Sequence, residues 1–122
     1  MSQYVETRTK TFTASEAITA NTLVKLDSAG VVSIADSTTY PIGVSTQACA
    51  SGDAIAITLL NCTGTVKMVA DGVIAIGTIV YCTDDGKVND TDPGACIKCG
   101  RTLEAATANN DVIEVIPFLA QA

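Results

Sequence analysis

Two stretches of this chain say nearly the same thing. "AITANTLVKLDSAGVVSIAD" occupies residues 17–36 and "VIAIGTIVYCTDDGKVNDTD" occupies residues 73–92. Ile18 answers Ile74, Thr22 answers Thr78, Val24 answers Val80, Gly30 answers Gly86 and Val32 answers Val88, each pair 56 positions apart (74 − 18). Further on, "IGVSTQACASGDAIAI" faces "KCGRTLEAATANNDVIEV", with Gly43 against Gly100 and Asp53 against Asp111 after an added residue. A duplication restricts the fold strongly, because whatever one copy forms the other must form too. Two copies are too few for a solenoid, which needs three or more units to bury its faces. They suit one barrel or sandwich with an approximate twofold axis.

The repeated unit reads as strands and tight turns. "TLVKL" and "TIVYC" are short and β-branched, the mark of strands. "DSAG" and "DDGK" put Asp and Gly where a turn requires positive φ. "ASGD" and "ANND" do the same at a second hairpin. In "AIAITLL", Ile55, Ile57 and Leu59 share a face by period-two alternation; in "VIEVI", Ile113 and Val115 lie opposite Val112, Glu114 and Ile116. "TVKMVA" predicts a further strand over about 64–70, and "RTLEAATA" reads as a strand ending in a turn. Turns are expected near 27–30, 51–53, 83–86 and 108–111. With only 4% aromatic residues among 48% hydrophobic ones, the core must be Val, Ile, Leu and Ala. The expected fold is all-β: a compact β-barrel or sandwich of two pseudo-symmetric hairpin repeats, with little helix. The repeat halves span about 17–60 and 73–118, within one β domain over 14–122.

Residues 1–13 differ from the rest. Val5, Thr7, Thr9, Thr11 and Thr13 alternate with Glu6, Arg8, Lys10 and Phe12. This is either an edge strand, whose Lys and Arg block aggregation, or an arm that adds to a sheet on another protein. Tyr4, Val5, Arg8, Lys10 and Phe12 are the contact candidates of such an arm.

Little chemistry is legible. The chain has no His, which removes the commonest general base and zinc ligand. No phosphate-cradling or dinucleotide motif follows a strand. "TDDGKVNDTDPG" is acidic but lacks the residue order of an EF-hand loop. The five cysteines are Cys49, Cys62, Cys82, Cys96 and Cys99. They include the C-x-x-C of "CIKC", yet residues i and i+3 of a strand point to opposite faces, so core thiols are the expectation and a metal site is not. A net charge of −6 disfavours nucleic acid as a partner. No apolar run is long enough for a membrane helix, and "MSQYVETRTKTFT" lacks a signal-peptide core. No catalytic residue and no cofactor is expected.

The order "ITANTLVKLDSAGVV…PIGV…SGDAIAITL…GTVKMVADGVIAIGTIVYCTDDGKV…CGRTLEAATANNDVIEVIPF" resembles a family of small phage proteins encoded near major capsid genes, the capsid cement or head decoration proteins. The likeness runs from about residue 12 to 118 and is carried by structural glycines and turn positions, Gly30, Gly43, Gly52, Gly64, Gly72, Gly77, Gly86 and Gly100, of which Gly30, Gly43, Gly86 and Gly100 are expected to be structural turn glycines. This chain departs from the pattern at Asn109-Asn110, and Asn also tolerates positive φ. The resemblance implies a structural virion protein without enzymatic activity, made in the bacterial cytoplasm and bound as a homotrimer to the major capsid protein on the outer capsid surface. The competing expectation is a small β-barrel module that binds a ligand such as carbohydrate. Such modules stack sugars on exposed aromatics, whereas Tyr81 and Phe118 look buried.

Overall fold

A computed structural model describes residues 9–60, 64–92 and 97–121, with the side chains of 97 and 119–121 excepted. Among these the chain is all strand and turn: β1 (Thr9–Thr13), β2 (Leu23–Leu26), β3 (Val32–Ile34), β4 (Gly43–Ser45), β5 (Ala54–Leu59), β6 (Val66–Val69), β7 (Ile79–Cys82), β8 (Val88–Asn89), β9 (Ile97–Thr102) and β10 (Val112–Gln121).

The strands form two five-stranded sheets of identical topology. The order is β1-β5-β4-β2-β3 in one and β6-β10-β9-β7-β8 in the other. All named strand pairs are antiparallel. In each sheet one parallel bridge joins the two edges, Ala14 to Val32 and Ala70 to Val88. Each sheet therefore curls until its edges touch at a point, but no ladder closes it into a barrel. The four hairpin turns stand where the turn residues put them: Gly30 and Gly86 at φ 83° and 72°, Gly52 at 88° and Asn110 at 74°. Asn110 holds in the second copy the conformation that Gly52 holds in the first, as the tolerance of Asn for that region allows.

Each sheet closes over a core, and the core of the second also takes in Leu23, Ala35 and Val44 of the first half. Ala14, Ile18, Val24, Val32, Ile55 and Ile57 fill the first. Their counterparts Ala70, Ile74, Val80, Val88, Ile113 and Val115 fill the second. Period-two alternation produces this, with Ile113 and Val115 buried while Val112 and Ile116 are exposed. Phe12 packs against the first core where the second has buried Met68.

Gly43 and Gly100 serve packing, not turns. Both lie inside strands, and neither has positive φ. A Cβ on Gly43 would strike the Thr58 carbonyl and the Ile57 side chain; on Gly100 it would meet the Ile116 carbonyl and Val115 Cγ1, both at 2.5 Å. Glycine lets two strands approach at the same place in both copies.

The halves are joined asymmetrically, which departs from the twofold expectation. Gly86 is buried in the seam: its carbonyl accepts the Leu23 N–H at 2.9 Å, and an added Cβ would meet Thr22 Cγ2 at 2.5 Å and Ile34 Cγ2 at 3.0 Å. A twofold axis would pair Ile79 with Gly30 in return. The described residues contain no such bond, Gly30 is exposed, and nothing lies within 4 Å of its added Cβ.

Candidate interaction surface

The buried polar groups are architectural. The Ser45 hydroxyl accepts the Thr22 N–H at 3.0 Å and donates to the Thr19 carbonyl at 2.7 Å. In the second copy the Thr102 hydroxyl accepts the Thr78 N–H at 3.0 Å and donates to the Ala75 carbonyl at 2.9 Å. Each hydroxyl ties the start of a strand to the loop before it, and no buried side-chain polar atom among the described residues lacks a partner.

Three carboxylates are likewise committed to structure, in turns or between the halves. Asp84 accepts from the Ser37 hydroxyl at 2.7 Å and the Ser37 N–H at 3.1 Å, bonds that lower its pKa. Asp111 accepts from the Thr107 and Ala108 N–H groups and the Thr107 hydroxyl, with the same effect. Lys25 sits 2.9 Å from Asp36; that bond, helped by the Thr38 N–H, holds the Asp36 carboxyl well below the usual range.

Among the described residues the thiols are held in the interior or beside one another. Cys82 and Cys99 are buried and Cys49 is half-buried, while Cys62 and Cys96 lie outside the described residues. The Cys99 thiol beside Cys82, and then burial, push the Cys82 thiol up, so it is not a ready thiolate. The described residues hold no metal-ligating cluster. One cleft of about 320 Å³ is lined by Ser37, Asp71, Cys82, Asp84 and Asp85 among others; its thiol is pushed up and Asp84 is engaged by Ser37. Another of about 230 Å³ lies between the halves, among Ser45, Thr58, Thr65 and Lys67.

What the surface offers is area. Tyr4, Val5 and Arg8 fall outside the described residues; Lys10 is half-buried on β1, and Phe12 is half-buried against the first core. Thr9 to Thr13 pairs over its whole length with Thr58 to Ala54, so this part of the segment is an edge strand. Tyr81 and Phe118 are half-buried, and Tyr40 is the exposed aromatic among the described residues.

The apolar surface falls mostly on the second half, where Val73, Ile76, Leu103, Val112 and Ile116 are exposed. A signal for it exists in the repeat: Ala17, Ala20, Thr46, Ala54 and Thr58 stand at the matching places of the first copy. Where the copies differ in this way, the second was given larger apolar side chains.

Comparison with known proteins bears on this surface. Residues 3–117 match the phage cement protein family, which takes in both copies of the repeat. No curated protein matches the chain. Among solved structures, the crystal structure of the head fiber gp8.5 N base of bacteriophage phi29 is similar, with a TM-score of 0.72 at 19% identity. That match covers 89% of this chain and 92% of that one, and at such identity it speaks for the fold. A fold of duplicated sheets, hydroxyls spent on architecture and a family match across nearly all of the sequence lead to one assignment: the chain belongs to the phage cement protein family, structural proteins that bind the phage capsid.

Proposed function

We propose that this protein sits on the outer surface of a phage head as a homotrimer bound to the major capsid protein, and reinforces the shell mechanically, without catalysis. The observation that carries the reading is the family match over residues 3–117. The molecule supports it in three ways. Its buried hydroxyls and several of its carboxylates are used internally, in support of a role that rests on surface. Its net charge of −6 is repelled by nucleic acid and suits the face of the shell away from the genome. Its first residues carry a strand pattern with Arg8 and Lys10, a sequence able to extend a sheet of a neighbouring protein. In this reading residues 1–8 are the capsid-seeking part of the segment, continuing from β1, with Tyr4, Val5 and Arg8 as contacts.

The test is co-sedimentation of the purified chain with capsid shells that lack it. Saturable pelleting with the shells is expected, and deletion of residues 2–8 should weaken it while leaving the fold intact. A chain that stays in the supernatant at every shell concentration contradicts the proposal.

A further inference from the structure

The seam between the halves is used on one side only, and both unused sides remain on the surface. On the first half the seat is made by Thr22, Leu23 and Ile34, and the Gly86 turn of the second half fills it. The repeat places the equivalent seat on the second half at Thr78, Ile79 and Asp90, and the equivalent turn at Gly30. Leu23 is 0% exposed, whereas Thr78 and Ile79 are half-buried and Asp90 is exposed. The same holds one strand away. Val44 and Val66 meet in the cleft between the halves and are both buried; their equivalents, Arg101 and Lys10, are exposed and half-buried.

We infer that a second copy of this chain completes the seam: the Gly30 turn of one molecule docks on the Thr78–Ile79 edge of the next, head to tail. The occupant is identified by the molecule itself, since the same fold already shows what lies on this seat when it is filled. The bond expected is the Ile79 N–H donating to the Gly30 carbonyl of the second copy. A heterologous contact of this kind gives a ring if its rotation closes and a filament if it does not. The homotrimer proposed above requires a ring, and in that respect the inference names the contact on which that trimer depends. The contact is weaker than the seam inside the chain, because Lys10 and Arg101 replace two valines and leave less apolar area to bury.

Sedimentation of the full chain, without capsid, over a range of concentrations tests this. The wild type should associate as its concentration rises. Gly30→Asn tolerates the turn conformation and meets no atom within the chain, yet it puts a side chain into the docked seat. It should fold and melt somewhat below the wild type, and associate at least tenfold more weakly. Arg101→Val, which restores the residue of the first half, should associate more tightly. A wild type that remains monomeric at all concentrations overturns the inference, and so does a folded Gly30→Asn chain that associates as well as the wild type. Shell binding is read separately: monomeric Gly30→Asn that still pellets with shells leaves the capsid reading standing, with self-association and capsid binding independent.

Discussion

Gly30 and Gly86 occupy the same turn in the two copies at nearly the same φ, 83° and 72°, but their surroundings differ. An alanine at Gly30 suffers backbone strain alone. At Gly86 it suffers the same strain and also runs into Thr22, Leu23 and Ile34. Strain of this kind costs about 1–3 kcal/mol, and overpacking adds a similar amount. Gly86→Ala should therefore destabilise clearly more than Gly30→Ala in urea unfolding; equal losses would remove Gly86 from the seam. Gly43→Ala and Gly100→Ala test close approach instead. Each should lose about 1–3 kcal/mol, because backbone carbonyls stand in the way of the added carbon. These glycines were all visible in the sequence as matched pairs. That two of them answer strand contact instead of turn geometry was not, since a turn glycine and a contact glycine are written with the same letter.

At the scale of elements, the Ser45 and Thr102 hydroxyls each hold a strand to its preceding loop through one accepted and one donated bond. Ser45→Ala and Thr102→Val leave the buried Thr22 N–H and the half-buried Thr78 N–H without these partners, while the carbonyls released, on the exposed residues Thr19 and Ala75, can turn to water. Such losses cost about 1–3 kcal/mol per group left bare, so chemical denaturation should show a comparable drop for each variant. The turn carboxylates set the acid limit. Asp36, Asp84 and Asp111 are stronger acids in the fold than in the unfolded chain. Their contribution is complete above the ordinary carboxylate pKa of about 4 and is lost as pH falls through and below that value. Asp84 is exposed and Asp36 and Asp111 are half-buried at the surface, so solvent screening keeps each effect small. The urea midpoint should be flat from neutral pH to about 5 and decline below about 4; a midpoint that rises on acidification would contradict the assignment of these hydrogen bonds. The strands themselves were legible because hydrophobic alternation and turn chemistry agree in every hairpin. β1 was ambiguous for a physical reason: its Thr-rich face buries little, so edge strand and arm share one pattern until the pairing with β5 separates them at Thr9.

For the whole molecule, the duplication explains why so much of the fold could be read and why the surface could not. Core positions repeat as Ile18 with Ile74, Val24 with Val80 and Val32 with Val88, because each sheet must fill the same interior. Interface positions repeat in type but not in fate. Leu23 and Ile79 look equivalent in sequence, yet one is buried under Gly86 and the other is half-buried, because the seam is filled from one side only. The exposed apolar side chains of the second half carried a faint signal, the Ala and Thr residues opposite them in the first. It becomes informative only once burial shows which face each residue is on.

The central claim is that this small β protein is a structural part of a phage head, and the most direct measurement is the strength of the shell itself. Empty heads lacking the protein should be heated with and without the purified chain, and their disruption followed by light scattering. The account predicts that the chain raises the temperature of disruption in a saturable way, and that the protein deleted for residues 2–8 does so less at equal concentration. Heads that break at the same temperature whether or not the chain is present, under conditions where it is folded and in excess, would contradict it.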